Sequence, residues 1–355
     1  MNKICKQLMQ KLSAMGLDGM LITDDVSRRY VTDMPDSAGC VLVCGEHAAI
    51  LTDFRYIEAA KAFGDTFEVH QVDRSVGYPE KVQSLCDAWG AKHIGFENDR
   101  MTVADFENWK GKTSLSFEPA GFVISDLRVC KSEAEIASLT AAQRVAEKAW
   151  EAMIPKIQRG RSEIELRGDL VGLCYSFGAE NMSFDTIVAS GENSAKPHAV
   201  PGERRVKDGD FVTFDFGVKV NGYCSDMTRT VCVGQPTDEM RKIYDIVLRA
   251  QLAAEEGLRA GITYKEFDGI ARSLIDGEGY GKAFGHSLSH GIGLEIHEGA
   301  FLSDGAMKLP VGAIVSVEPG IYLEGRFGVR IEDMACVTEN GCRILTDCDK
   351  KLLIL

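Results

Sequence analysis

The chain has 355 residues, 45% hydrophobic and 26% charged, which suits a soluble globular protein of about two domains. No apolar run reaches the ~18 residues that span a bilayer, and Met1–Lys11 lacks an apolar secretion segment, so no membrane partner and a cytoplasmic location are expected. A net charge of −13 argues against nucleic acid, which is held by clustered Lys and Arg.

Residues 1–127 read as an α/β domain. Short apolar runs at Gly19–Ile22, Cys40–Val43, Ala48–Thr52 and His93–Phe96 predict strands, and Ile4–Met15 and Tyr78–Trp89 predict helices between them. This part carries no catalytic motif. A boundary near Asp126–Lys131 opens a second domain, 128–355. Its first helix starts at the capping box Ser132…Glu135, carries Ile136, Leu139, Ala142, Val145, Ala149 and Met153 at helical spacing, and closes at Pro155. Ser162…Glu165 and Thr263…Glu266 are further capping boxes, and a helix is expected over Thr237–Arg259. Ser162 and Thr263, Asp215 and Glu318, and Asp226 and Glu332 are 101, 103 and 106 positions apart. The second domain therefore reads as two similar α+β halves facing each other. The eleven cysteines form no C-x-x-C pair and read as reduced, small core hydrophobes.

Candidate chemistry begins at Gly209–Thr230. Asn221-Gly222 demands a type I′ turn, because both central residues need positive φ. Val220 then opposes Tyr223, Asp215 opposes Thr228, and Gly217 opposes Asp226. The two aspartates become diagonal neighbours on one face, roughly 7 Å apart. Val212, Phe214, Phe216 and Val218 fill the other face. On this hairpin alone, the face with Thr213, Asp215, Lys219, Asp226 and Thr228 reads equally as solvated surface.

Three further stretches bear on that choice. His286, His290 and His297 fall within twelve residues of a chain that has seven histidines, and no H-E-x-x-H occurs. Glu318 ends the apolar run Ile314–Val317. In Gly328–Asp333, strand alternation puts Arg330 and Glu332 on one face, where they either serve a site or simply pair with each other. These stretches offer four carboxylates and one imidazole; the four acids would repel one another strongly without cations, and two divalent ions would balance them. Such oxygen-rich donors suit Mn²⁺ first, with Co²⁺ and Zn²⁺ as alternatives.

These residues resemble the pita-bread metallopeptidase family, which includes methionine aminopeptidase, aminopeptidase P, prolidase and creatinase. The resemblance implies a creatinase-like α/β N-terminal domain and an α+β pita-bread catalytic domain with an internal pseudo-twofold repeat. By it, Asp215 chelates one ion, Asp226 and Glu332 bridge both, and His290 and Glu318 complete the second site. The stretch Ile187–His198 resembles the proline-specific branch. His198 and His297 match that branch's two non-ligand catalytic histidines, with Glu318 as a further proton carrier. His286 matches a substrate-pocket histidine, and Arg330 a group beside the ligands, so both are expected to bind substrate. The implied function is hydrolysis of the bond before proline, on a peptide with proline in second position, by a homodimer.

Some positions depart from the pattern. Ser289 stands where Gly is common, and Gly299-Ala300-Phe301 replaces a Pro-containing segment. Phe301 occupies a position where some dipeptidases carry an Arg for the dipeptide carboxylate. That favours an Xaa-Pro aminopeptidase, with an Xaa-Pro dipeptidase as the alternative. A binding protein without catalysis and a metal-free creatinase-like hydrolase are the rival classes, and the intact ligand set speaks against both.

Overall fold

The structure, a computed structural model, describes residues 1–299 and 305–355, so Ala300 and Phe301 lie outside the described residues. The chain divides into two compact units, Met1–Arg128 and Val129–Leu355.

In the first unit six strands form one sheet: β1 (Gly19–Ile22), β2 (Cys40–Cys44), β3 (His47–Thr52), β4 (Glu68–Gln71), β5 (His93–Phe96) and β6 (Ser116–Pro119), in the order β4-β3-β2-β1-β5-β6. β1 runs antiparallel to β2 and parallel to β5. The helices are α1 (Lys3–Ala14), α2 (Asp25–Thr32), α3 (Ile57–Ala60), α4 (Tyr78–Trp89), α5 (Val103–Lys112) and α6 (Gly121–Val129). α1 buries Cys5, Leu8, Met9 and Leu12, one stripe at helical spacing. α4 carries Pro79 in its first turn and stops at Gly90, whose φ of 72° is left-handed. All eleven cysteines are free thiols, and burial pushes the Cys40 thiol up to about 12.

The second unit begins with α7 (Glu133–Met153) and α8 (Glu163–Ser176). Strands follow: β7 (Asn181–Met182), β8 (Ile187–Ser190), β9 (Asp210–Phe216), β10 (Val218–Val220), β11 (Tyr223–Cys224) and β12 (Met227–Val233). The second half repeats this order with α9 (Asp238–Gly257), α10 (Tyr264–Gly277), β13 (Ile314–Val317), β14 (Gly320–Leu323), β15 (Phe327–Arg330), β16 (Asp333–Val337) and β17 (Cys342–Ile344). All three capping boxes form, at the starts of α7, α8 and α10. α7 ends at Met153, before Pro155.

The hairpin keeps the expected register throughout. Val220 pairs with Tyr223 and Asp215 with Thr228, and Asn221 and Gly222 have φ of 51° and 78°. Val212, Phe214, Phe216 and Val218 are fully buried, with Trp150 edge-on to Phe214 at 5.4 Å. The opposite face is not solvated surface: Thr213, Asp226 and Thr228 are buried too. The second half covers it. Glu332 N–H donates to Thr228 O at 3.2 Å, and Thr230 Oγ1 donates to Arg330 O at 3.0 Å. The two halves thus meet sheet to sheet, with their acidic residues at the seam.

Candidate metal centre

Each half supplies one arm of the site. Asp215 is the penultimate residue of β9, and Asp226 lies between β11 and β12. Glu318 follows β13 directly, and Glu332 lies between β15 and β16. His290 sits on a loop laid against β13: its N–H donates to Ser316 Oγ at 2.9 Å, and its carbonyl accepts from Ser316 N–H at 2.9 Å. His198, Asp215, Asp226, His286, His290, His297, Glu318, Arg330 and Glu332 all line one cavity of ≈540 Å³.

The carboxylates crowd the imidazole. His290 Nε2 lies 3.4 Å from both Asp226 Oδ2 and Glu318 Oε1. One donor atom each from Asp226, His290 and Glu332 fits within 4.8 Å. Burial first, then the charges of Asp226, Glu318 and Asp215, hold the Glu332 carboxyl well above the usual carboxylate range. Burial likewise lifts Glu318 to about 7 and Asp226 to about 6. Burial alone would lower His290; its contact with Asp226 and the charge of Glu318 outweigh that and raise it to about 9. In the three acids burial is the largest cause and the neighbouring carboxylates add to it, beyond what Arg330 and His290 offset. Asp215 Oδ1 and Asp226 Oδ1 are buried with no hydrogen-bond partner among the described residues. The histidine is oriented for a cation: its Nδ1 faces Gly291 O at 3.2 Å, so the proton sits there and Nε2 turns to the acids. Buried acids with orphaned oxygens, facing an imidazole nitrogen turned toward them, fit divalent ions.

Arg330 and Glu332 do not pair with each other. Arg330 Nη2 meets Asp215 Oδ2 at 2.5 Å, while Glu332 Oε2 accepts from Thr228 Oγ1 at 2.7 Å. The rest of the Arg330 guanidinium donates to Thr228 Oγ1, Pro197 O and the Tyr322 hydroxyl. Arg330 thus lines the cavity while bound to the protein, and it sets the direction of Asp215. His286 is also fully engaged. Its Nδ1 must donate to Ser287 O at 2.8 Å, so Nε2 accepts from the Tyr322 hydroxyl at 2.9 Å. Burial lowers its pKa to about 4, so it stands in the cavity wall as a neutral ring. His198 and His297 are exposed on the wall, and His297 packs edge-on to His290 at 4.3 Å. Burial and the neighbouring histidines lower the His297 pKa.

Sequence reasoning missed Tyr322 and the role of Thr228. Tyr322 lies on β14, two residues past its first residue Gly320, and alternation along that strand puts it on the face of neither Ile321 nor Leu323. Thr228 was placed opposite Asp215, but a threonine on a strand carries no sign that it will bond a glutamate from the other half.

The pattern of metallopeptidase family M24 matches residues 137–339, and that of the creatinase/prolidase N-terminal domain matches residues 5–130. A protein of Bacillus subtilis (strain 168) described as uncharacterized peptidase YqhT is 40% identical over 352 residues, 99% of each chain. A solved Xaa-Pro dipeptidase from Bacillus anthracis superposes with a TM-score of 0.95 at 41% identity, covering 99% of each chain. An X-Pro aminopeptidase from Thermotoga maritima MSB8 superposes with a TM-score of 0.91 at 35% identity, covering 96% of this chain and 98% of that one. With its facing halves, its acidic seam and these two matched domains, the chain belongs to the pita-bread metallopeptidases of family M24, carrying a creatinase-type N-terminal domain.

Proposed function

We propose that this hydrolase cleaves the peptide bond between an N-terminal residue and proline, using two divalent ions. The observation that carries the reading is the convergence of four carboxylates and His290 on one cavity, with two carboxylate oxygens left unbonded. Asp215 would hold one ion, Asp226 and Glu332 both, and His290 and Glu318 the other, with Mn²⁺ preferred by the mostly oxygen donor set. Bound there, the ions polarise the scissile carbonyl and lower the pKa of a water.

The chain's own side chains do the rest. Arg330 and Thr228 hold Asp215 and Glu332 in place through the contacts above. His198 and His297 stand on the wall as N–H donors for charge developing on the substrate carbonyl oxygen. The Glu318 carboxylate would take a proton from the attacking water and deliver it to the proline nitrogen as the C–N bond breaks. His286, neutral and with both nitrogens occupied, gives the proline ring a flat face to pack on. Proline has no amide N–H and a fixed φ, so a site that acts on the carbonyl suits it better than one that pairs with substrate backbone.

Two substrate lengths remain. Phe301 in place of an Arg favours longer peptides, while the match to the Bacillus anthracis Xaa-Pro dipeptidase favours dipeptides at least as strongly. The test compares an Xaa-Pro dipeptide, an Xaa-Pro-Xaa peptide and creatine on chelated protein reloaded with Mn²⁺, Co²⁺ or Zn²⁺. Cleavage of a proline substrate only after reloading is expected. Undiminished cleavage by chelated protein, or cleavage of creatine alone, overturns the reading. A homodimer, implied by the family resemblance, is checked by the molar mass in solution.

A further inference from the structure

His198 stands on the segment between Ser190 and Gly202, and both ends of that segment close on one carboxylate. Glu163 is the first residue of α8, follows the N-cap Ser162, and is 0% exposed. Its Oε1 accepts from Ser190 N–H at 2.7 Å, Ser190 Oγ at 2.8 Å and Asn193 Nδ2 at 3.1 Å. Its Oε2 accepts from Gly202 N–H at 3.2 Å and Asn193 Nδ2 at 3.2 Å. Arg204 Nη1 donates to Ser190 Oγ at 2.7 Å, so the serine hydroxyl has its proton directed onto Glu163. The helix N-terminus and these donors together make a buried carboxylate tolerable without an ion partner of its own.

The far side of the segment is tied to the second half. Gly328 N–H donates to Ser194 Oγ at 2.9 Å, and Arg330 Nη1 reaches Pro197 O at 3.4 Å. His198 therefore rides on a strap held at both ends by Glu163 and at its middle by β15.

We propose that Glu163 is a positioning residue for His198, acting through the strap and not on the substrate. This rests on the reading of His198 as a group that meets the scissile carbonyl. Every neighbour of the carboxylate is a donor, so Glu163→Gln keeps the volume but turns an NH₂ onto one end of the strap. A displacement of about an ångström at a catalytic group costs up to roughly a hundredfold in rate.

The experiment measures kcat, KM and metal content for Glu163→Gln, His198→Ala and the double variant, all reloaded with Mn²⁺. Expected is a tenfold to hundredfold fall in kcat for Glu163→Gln, with KM and metal content unchanged. The double variant should be no slower than His198→Ala alone. Asn193→Ala, which removes one donor and no charge, should fall less in kcat with an unchanged melting temperature. Imidazole ¹⁵N spectra of Glu163→Gln should show His198 shifted and His297 unmoved. Unchanged kcat, multiplying effects in the double variant, loss of metal alongside activity, or an unmoved His198 signal would each overturn the proposal. Should His198→Ala alone keep full activity, the role of His198 fails, and the imidazole spectra still decide whether Glu163 holds it in place.

Discussion

Glu332 and Asp333 are adjacent in sequence and 1% and 0% exposed, yet their carboxylates lie in opposite fields. Asp333 Oδ1 accepts from Arg229 Nη2 at 2.7 Å, and its Oδ2 meets Lys350 Nζ at 2.6 Å. Burial would raise its pKa, but Arg229 and Lys350 outweigh that and lower it. Arg229 is itself anchored on Glu332 O and Cys348 O. Glu332 faces the other way, toward Asp215, Asp226 and Glu318, where Arg330 lies against Asp215; burial and the three like charges raise it more than Arg330 lowers it. Depth alone decides nothing here. Asp333 is neutralised by cations the chain supplies, which is the pattern of a structural ion pair. Glu332 belongs to a set left short of positive charge, which is the pattern of a site for ions from solution.

The comparison can be broken most forcefully at the bridging acids. Asp226→Ala or Glu332→Ala should abolish hydrolysis by more than about a thousandfold and lower the bound metal, read by elemental analysis. Full metal content in either variant would remove the distinction between the two acids.

Stability separates them next. Asp333→Asn leaves Arg229 without its buried anion, while Lys350 keeps Glu255, and should cost about 3–5 kcal/mol in denaturant unfolding. Glu332→Gln should instead stabilise the metal-free protein at pH 7. Loss of stability in both variants would mean that Glu332 is an ordinary structural acid.

The pH dependence of the metal-free protein sharpens the contrast. Asp226, Glu318 and His290 have folded pKa values of about 6, about 7 and about 9, each raised above the unfolded value. Groups raised in the fold contribute stability below their unfolded pKa and lose it as pH rises through the folded one. Metal-free protein should therefore lose about 6 kcal/mol between pH 5 and 8, while metal-loaded protein stays nearly flat. A thermal unfolding series at both metal states checks this, and equal slopes would contradict it.

The smallest effect is expected at the groups that orient the acids. Arg330→Lys keeps the charge but loses the fork that spans Asp215, Thr228 and Tyr322. It should weaken metal binding about 10–100-fold in a calorimetric titration.

Local rules carried the sequence reading a long way. A single Asn221-Gly222 turn set the hairpin register from Val220 out to Asp210, because positive φ at two residues leaves one turn type. Three capping boxes placed three helix starts for the same reason: the bonds lie within four residues. Tyr322, Thr228 and Glu163 escaped, since each acts on a partner about 8 to 104 positions away. The face carrying Asp215 and Thr228 illustrates the limit, for alternation says which residues share a face but not what covers it.

By itself the sequence determined the α/β and α+β segments, the repeated halves, and that Asp215 and Asp226 share one face of their hairpin, because these follow from periodicity and turn chemistry over short spans. Only the tertiary structure decided that the acidic face is buried, that Arg330 serves Asp215, and that Glu332 and Asp333 part company. Those outcomes depend on where distant cations come to rest, and charge acts through space on whatever the fold brings near.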